Sequence, residues 1–412
     1  MNVLVAGGGA AGLIAAWRAA GLGHAVTLLE ANPRLGIKVR ISGGGRCNVT
    51  HAGGPAEVLA AFPKAQARFL RPALHAFPGT RLLELLAAEG IRTEARENGR
   101  VFPVDGPGSA HRVADALERL ARAAGVRIRT GCRVQGLDGT PPRLRALVLE
   151  GGARLVADVF ILATGGASYP QTGTRGEMAG LLAGLGVPVA PWAPALAPIP
   201  LREPRPAWEG VALRGGVLSL RPAAGQRPLA RFTGDLLFTR TGVSGPAALE
   251  LSRETEAARR AGGAWLDVAL TASSAEAVEA ELLGLQTANP HLGVRTWLGR
   301  HLPERLADPA LAGLPADQRL KDLPRAGRRA LAGLVTAFPL GAPGPVDLAK
   351  GEVAAGGVRL AAVDPATLAV RGWENLRVCG ELLDIDGPVG GYNLQAAFST
   401  GFLAGSLSPG SS

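Results

Sequence analysis

Short apolar runs separated by glycine clusters open this chain. Val3-Leu4-Val5-Ala6 is apolar without interruption, the pattern of a strand buried on both faces in a parallel sheet. Residues 7–12, Gly-Gly-Gly-Ala-Ala-Gly, break that run, and residues 13–20 then read as a helix. Residues 25–29 form a second short run that Glu30 closes. Strand, glycine turn, helix, strand and acid in this order predict a βαβ unit. The glycines cut the first run too early for a signal-peptide core or a membrane helix.

Farther on, helical spacing is expected over residues 58–74 and 80–89, with a turn-rich piece at 97–103. A clear amphipathic helix covers 109–124, with Ser109 as its expected N-cap and Gly125 at its far end. Strand patterns follow at 126–130 and 144–149, and a buried strand at 157–163 runs into Thr164-Gly165-Gly166. From Pro188 to Pro206 prolines crowd the chain, which predicts a boundary rather than a packed element. Strand-like runs at 211–220, 230–239 and 264–270 precede a helix-rich stretch at about 274–334. The opening texture resumes near Glu352: residues 376–381 read as a strand ending in Gly380-Glu381, and Gly390-Gly391-Tyr392-Asn393 open an apolar helix. The expected organisation is an α/β Rossmann-like domain over 1–189 and 343–412, interrupted by a domain over 190–342. The glycine- and serine-rich tail after Leu407 is expected to fray.

The glycine pattern G-x-G-x-x-G carries chemistry. Gly7 allows the tight turn, Gly9 lets backbone approach a pyrophosphate, and Gly12 lets helix and strand pack closely. The helix N-terminus that follows offers free N–H groups and about half a positive charge to a phosphate. Glu30 stands where a carboxylate accepts hydrogen bonds from a ribose. NAD and FAD both fit this unit alone.

Composition narrows the classes. A 412-residue chain with 47% hydrophobic but only 4% aromatic residues builds its core from Ala, Leu and Val. No uninterrupted apolar stretch reaches the ~18 residues of a membrane span. Cys47, Cys132 and Cys379 are odd in number and far apart, which argues against a disulfide framework and a C-x-x-C metal site. A cytoplasmic protein without metal or membrane contact is expected. The net charge of +10 favours anionic partners such as nucleic acid, although the cations are nearly all arginine, as a GC-rich genome would also produce. Both explanations stay open.

Five segments carry a resemblance: ISGGGRCN at 41–48, ATGGASYPQT at 163–172, FTRTGVSGP at 238–246, GEVAAGGV at 351–358 and GELLDIDGPVGGYNLQAAFSTG at 380–401. Together they resemble the HI0933/YhiN-like (BaiN/RdsA) family of bacterial FAD-dependent oxidoreductases. The resemblance implies a two-dinucleotide-type FAD-binding domain interrupted by an inserted β-barrel-like domain with a helical excursion. It places FAD against Gly7, Gly9, Ala10, Ala11 and Gly12 at the pyrophosphate and against Glu30 and Ala31 at the ribose. Lys38, Gly43, Gly44, Arg46, Cys47 and Asn48 would follow the cofactor toward its ring, and the Val134 backbone would meet adenine. Ala163, Thr164, Gly165, Gly380, Glu381, Gly391, Tyr392, Asn393 and Leu394 would complete the pocket. Two positions depart from the family pattern: Arg240 stands where F-T-H-x-G relatives carry His, and Ala354 where V-T-x-G-G-V relatives carry Thr.

Candidates for the chemistry each have a plain structural alternative. Cys47 beside Arg46 is a thiol acid or redox group, or a small packing residue. Tyr169 is a proton donor or a structural ring. His51 is expected at the surface or in a cap, and Cys379 in the core. The resemblance implies reduction of a conjugated C=C bond, with NAD(P)H visiting the flavin transiently because no second G-x-G-x-x-G is present. Its acceptor is a uridine in ribosomal RNA or a small-molecule enone; a third reading is an FAD-stabilised RNA-binding factor without turnover. Arg295, Arg300, Arg305, Arg319, Arg325, Arg328 and Arg329 in the inserted domain are either an RNA-binding surface or a solvated face.

Overall fold

A computed structural model describes residues 1–408 apart from the Pro309 side chain, so the tail is largely outside the described residues. The chain divides into two compact units, Met1–Ala193 with Glu352–Ser412, and Pro194–Gly351.

In the first unit a five-stranded parallel sheet runs in the order Leu376–Val378, Val159–Leu162, Asn2–Ala6, Ala25–Leu29, Arg127–Arg129. Val5, Leu28, Ile161, Leu162 and Leu376 are fully buried, as the unbroken apolar runs require. Ala6 lies opposite Leu29 and Leu162, so the turns at Gly7, Glu30 and Ala163 leave the sheet at one edge. The helices Ala10–Gly21 and Tyr392–Gly405 cross at backbone distance: a Cβ on Gly401 would lie 2.2 Å from the Ala11 carbonyl, and one on Gly405 2.3 Å from that of Ala15. Matching steps of four residues mean that the two helices run parallel. Tyr392 lies nine residues before Gly401 and Ala10 one before Ala11, so the N-termini are offset by about 12 Å along the axis.

Several local expectations need correction. The 58–74 pattern is two helices, Pro55–Ala60 and Lys64–Ala76, parted at Phe62-Pro63 because proline cannot continue the first. Ser109 is the first helical residue and not the cap; its hydroxyl donates back to the carbonyls of Gly106 and Arg46. Arg100–Pro103, within the turn-rich piece, is the central strand between Thr50–His51 and Thr93–Ala95. Residues in the proline-rich boundary also pack: Val189–Ala195 pairs with Val353–Val358 in a two-stranded sheet, where both strands are edges and tolerate proline.

The second unit holds a six-stranded sheet ordered Ile199–Pro200, Gly242–Ser244, Ala230–Thr239, Ala212–Arg221, Trp265–Ala269, Phe338–Gly341. Its two edges meet: the Arg202 N–H donates to the Ala342 carbonyl at 2.9 Å and the Gly344 N–H to the Pro200 carbonyl at 2.8 Å. The sheet therefore closes in the manner of a barrel. Helices Ala275–Ala288, Val294–Leu298 and Arg325–Thr336 gather around the buried Trp297, whose indole donates to Glu281 at 3.1 Å.

Residues 343–351 belong to this second unit because Val346 is buried in its core. The Val346 N–H donates at 3.0 Å to the buried carboxylate of Glu256, which also accepts from Arg259 at 2.8 Å and Arg260 at 2.7 Å. Arg259 first, then Val346 and Arg260, hold this carboxyl down from 4.5 to about 2 against the opposing effect of burial. A depressed folded-state value contributes stability above 4.5 that is lost as pH falls toward 2. Glu256→Gln is expected to cost about 2–3 kcal/mol at neutral pH. Urea unfolding would register this as a lower midpoint, and the variant should lose less stability than the parent between pH 5 and 3.

Candidate cofactor and active site

Everything at the sheet edge is built from the first unit. Gly7 takes the left-handed backbone (φ 104°) that turns the chain into the helix Ala10–Gly21, and its N–H donates to Leu29 at 2.8 Å. No side chain caps this helix, and a Cβ placed on Gly9 meets no protein atom within 4 Å. The N–H groups of Ala10, Ala11 and Gly12 therefore have neither an intrahelical acceptor nor a side-chain cap. Buried Glu30 closes the turn by accepting from the Gly8 N–H at 2.7 Å and from the Asn32 backbone and amide at 2.8 and 2.7 Å. Next to Ala31, Cys132 donates its N–H to the Glu30 carbonyl at 2.8 Å, which lays the approach to Val134 along the same turn. Two buried polar atoms at this edge lack any partner, Asn48 Oδ1 and Thr164 Oγ1. An uncapped helix end, a cradle that a Cβ on Gly9 would fill without contact, and two orphaned polar atoms are what an elongated phosphorylated cofactor would satisfy.

Lys38 and Glu381, 343 residues apart, form an ion pair at 2.6 Å. Lys38 also donates to Ser168 at 2.6 Å, and the other Glu381 oxygen accepts from Ser168 at 3.1 Å and from the Ala354 N–H at 2.9 Å. These bonds tie the turns after Ala163 and Gly380 to the strand Val353–Val358. At Ala354 the backbone makes the bond, so the missing threonine hydroxyl is not needed for it. Arg240, the other departure, is exposed on the second unit.

The helix Ile37–Gly45 loses regular geometry at Ser42, and Gly43 and Gly44 are left-handed, so the loop turns back on itself. Arg46 ends exposed, but Cys47 is wholly buried. Burial pushes its thiol up to about 11, outweighing a hydrogen bond to Ser42. The thiolate expected from a neighbouring arginine is therefore not favoured here. Cys379 is also fully buried, its thiol pushed to about 12.

The helix Tyr392–Gly405 is uncapped by any side chain too. Asn393 is occupied in bracing the preceding loop, accepting from the Gly387 N–H at 2.7 Å and donating to its carbonyl at 2.8 Å. Leu394 is half-buried beside it. The Tyr392 ring stacks on His51, 4.5 Å between centroids and 17° between planes, with Phe62 edge-on at 6.1 Å. His51 is thus part of an aromatic stack, while its ring nitrogens also meet the carbonyls of Ala52 and Asn98 at 2.9 and 3.2 Å.

Tyr169 is held in left-handed backbone (φ 50°, ψ 65°), unusual for a tyrosine, by Thr172, whose N–H and hydroxyl both donate to its carbonyl at 2.8 Å. Burial raises its phenol, and the nearby Glu352 carboxylate raises it further. Burial also raises Glu352, opposed by Arg100 and Lys38. Glu352 escaped the sequence reading, although it lies within the GEVAAGGV segment.

Of the inserted-unit arginines only Arg328 is half-buried; the other six are exposed, and most have partners within their own unit. Arg295 pairs with Asp308 at 3.7 Å, and Arg325 and Arg329 with Glu279 at 3.7 and 3.5 Å. Arg305, Arg319 and Arg328 donate to acceptors of their own unit. Among the described residues no cluster of three His, Cys, Asp or Glu side chains could hold a metal, and no helix is long and apolar enough to cross a membrane.

Comparison with known proteins adds relatives to this geometry. Residues 1–407 match the family model described as the HI0933-like protein Rossmann domain. A 3-dehydro-bile acid delta(4,6)-reductase of Clostridium scindens is 30% identical, with 97% of each chain covered. A ribosomal RNA dihydrouridine synthase of Haemophilus influenzae is 27% identical over 97% of this chain and 96% of its own. The structure of a 3-ketosteroid-delta4-(5alpha)-dehydrogenase from Rhodococcus jostii superposes with a TM-score of 0.51 at 16% identity, covering 98% of this chain and 96% of that one, a likeness of fold.

Proposed function

We propose that this chain, which belongs to the HI0933-like Rossmann-domain family, is an FAD-dependent oxidoreductase that reduces a conjugated C=C bond, with a uridine of ribosomal RNA as its acceptor. The observation that carries the flavin reading is the pair of parallel, uncapped helices whose N-termini are offset by about 12 Å beyond one sheet edge. FAD would use both ends, one at its pyrophosphate and one at its ring. The N–H groups of Ala10, Ala11 and Gly12 would hold the phosphates, Glu30 the ribose, and Asn48 and Thr164 the polar atoms between. The end at Tyr392, Asn393 and Leu394 would favour negative charge at the ring's polar edge. FAD, reduced by NAD(P)H, would supply hydride to an electron-poor carbon. Tyr169 would hold the proton for the neighbouring atom, and the Lys38–Glu381 bridge would keep its turn in place.

The two curated relatives above are named for different substrates, but both names describe reduction of unsaturated rings. The high net positive charge favours the polyanionic substrate. Deleting the gene in the source organism is expected to remove dihydrouridine from one position of ribosomal RNA, and the unaltered gene should restore it. Mass spectrometry of digested ribosomal RNA reads this directly. Unchanged dihydrouridine would refute the RNA acceptor and leave a small-molecule enone, which the 30% identity to the bile-acid reductase supports.

A further inference from the structure

The helix Lys64–Ala76 differs from the chain's other long surface helix in the first unit. Its polar positions Lys64, Arg68, Arg71 and His75 are all exposed, while Gln66, Phe69, Leu70, Ala73 and Leu74 are buried. Spacings of four and three residues put the cations Lys64, Arg68 and Arg71 in one stripe, with His75 four residues farther along it, about 16 Å in all. The helix contains no acid, and among the described residues none of the four has an ion-pair partner. The helix Ser109–Ala123 shows the ordinary alternative: Arg112 pairs with Asp105, Arg119 with Glu89 and Arg122 with Glu118.

The stripe continues beyond the helix end. Arg81 donates to the Ala76 carbonyl at 3.2 Å, and its guanidinium lies 4.6 Å from the centre of the Phe402 ring. Arg18 lies 4.7 Å from the centre of the same ring. Burial and the nearby Arg81 both disfavour the charge on Arg18. At the other end the stripe begins beside the candidate active site. Phe62, two residues before Lys64, packs edge-on against Tyr392, and Gln66 donates to Asp386 at 3.0 Å.

We infer that the exposed face of the helix Lys64–Ala76 is a docking track for the phosphate backbone of single-stranded RNA, leading the strand toward the Tyr392 end of the site. The inference rests on the RNA reading of the function and places a basic surface on the first unit. A row of unpaired cations at helical spacing meets phosphates as point charges and carries no sequence information, so the track positions the strand and leaves base choice to the site.

The test uses the full-length, flavin-loaded chain and a labelled 20-nucleotide uridine-containing RNA, with fluorescence anisotropy from 50 to 200 mM KCl. The combined Lys64→Gln, Arg68→Gln and Arg71→Gln variant is expected to bind at least 10-fold more weakly at low salt. The slope of log Kd against log salt should fall by about 2, from ~0.7 per lost phosphate contact. Its flavin content should equal the parent's, which separates a lost surface from a lost fold. Combined Arg305→Gln, Arg325→Gln and Arg329→Gln should stay within twofold of the parent. Equal affinity and slope in the first variant would overturn the track while RNA binding by the parent upheld the RNA reading. Failure of the parent to bind RNA, with binding instead to vesicles of anionic phosphatidylglycerol, would overturn both.

Discussion

Gly9→Val is expected to yield a folded but colourless protein. Gly9 has ordinary extended backbone (φ −83°, ψ −167°), which valine adopts readily, and a Cβ there meets no protein atom. The substitution therefore leaves the βαβ core intact. Its branched side chain would fill the space over the free N–H groups of Ala10, Ala11 and Gly12. Losing two charge-assisted hydrogen bonds at about 1.5–3 kcal/mol each lowers cofactor affinity by roughly 10²–10⁴-fold. Gly12→Val is the contrasting control. A Cβ on Gly12 would sit 1.8 Å from the Gly7 carbonyl, a backbone atom that cannot move away without breaking the turn. That variant should fail to fold, whereas Gly9→Val keeps the parent's circular dichroism and melting behaviour. A yellow Gly9→Val preparation with normal flavin content would remove the pyrophosphate assignment.

The contrast between these two glycines also marks what the sequence could disclose. Both belong to one local pattern, and local patterns were legible: buried runs, the glycine turn, Glu30 and the strand into Gly380-Glu381 all form where periodicity puts them. Pairings across the chain were not. Lys38 and Glu381 meet because parallel strands bring distant turns to one edge, and no spacing rule encodes that meeting. Cys47 shows the same limit from the other side. Its sequence neighbour Arg46 suggested a lowered thiol, but a positive φ of 56° turns the side chain into the core, where desolvation dominates. The partners of Arg295, Arg325 and Arg329, namely Asp308 and Glu279, lie in other turns of the fold, so no local spacing announces those pairs. The unpaired stripe on Lys64–Ala76 was readable in principle, since a four-three spacing of cations without an acid is itself a local pattern.

Tyr169→Phe should lower turnover by about 10²–10⁴-fold, the usual contribution of a positioned general acid, while leaving flavin content and the rate of flavin reduction by NAD(P)H within a few-fold. The split between the two half-reactions is what separates a proton donor from a ring that merely packs, because phenylalanine keeps the packing and removes only the hydroxyl. The pH profile offers an independent sign. Burial and Glu352 raise the phenol above its usual 10, so the neutral, donating form persists to more alkaline pH than in a free tyrosine. Glu352→Gln removes a nearby negative charge and should move the alkaline limb of turnover to lower pH, with activity at neutral pH much less affected. Cys47→Ala should change turnover little, since a wholly buried thiol raised to about 11 is neither ionised nor exposed at neutral pH. Tyr169 also occupies a backbone region that costs about 1–3 kcal/mol for a residue other than glycine. Thr172 maintains that conformation, so Thr172→Val, which removes the hydroxyl bond and keeps the bulk, should reproduce part of the Tyr169→Phe loss in the second half-reaction. Full turnover in Tyr169→Phe would assign the proton to another group or to solvent, and the strained turn would then be explained by packing alone.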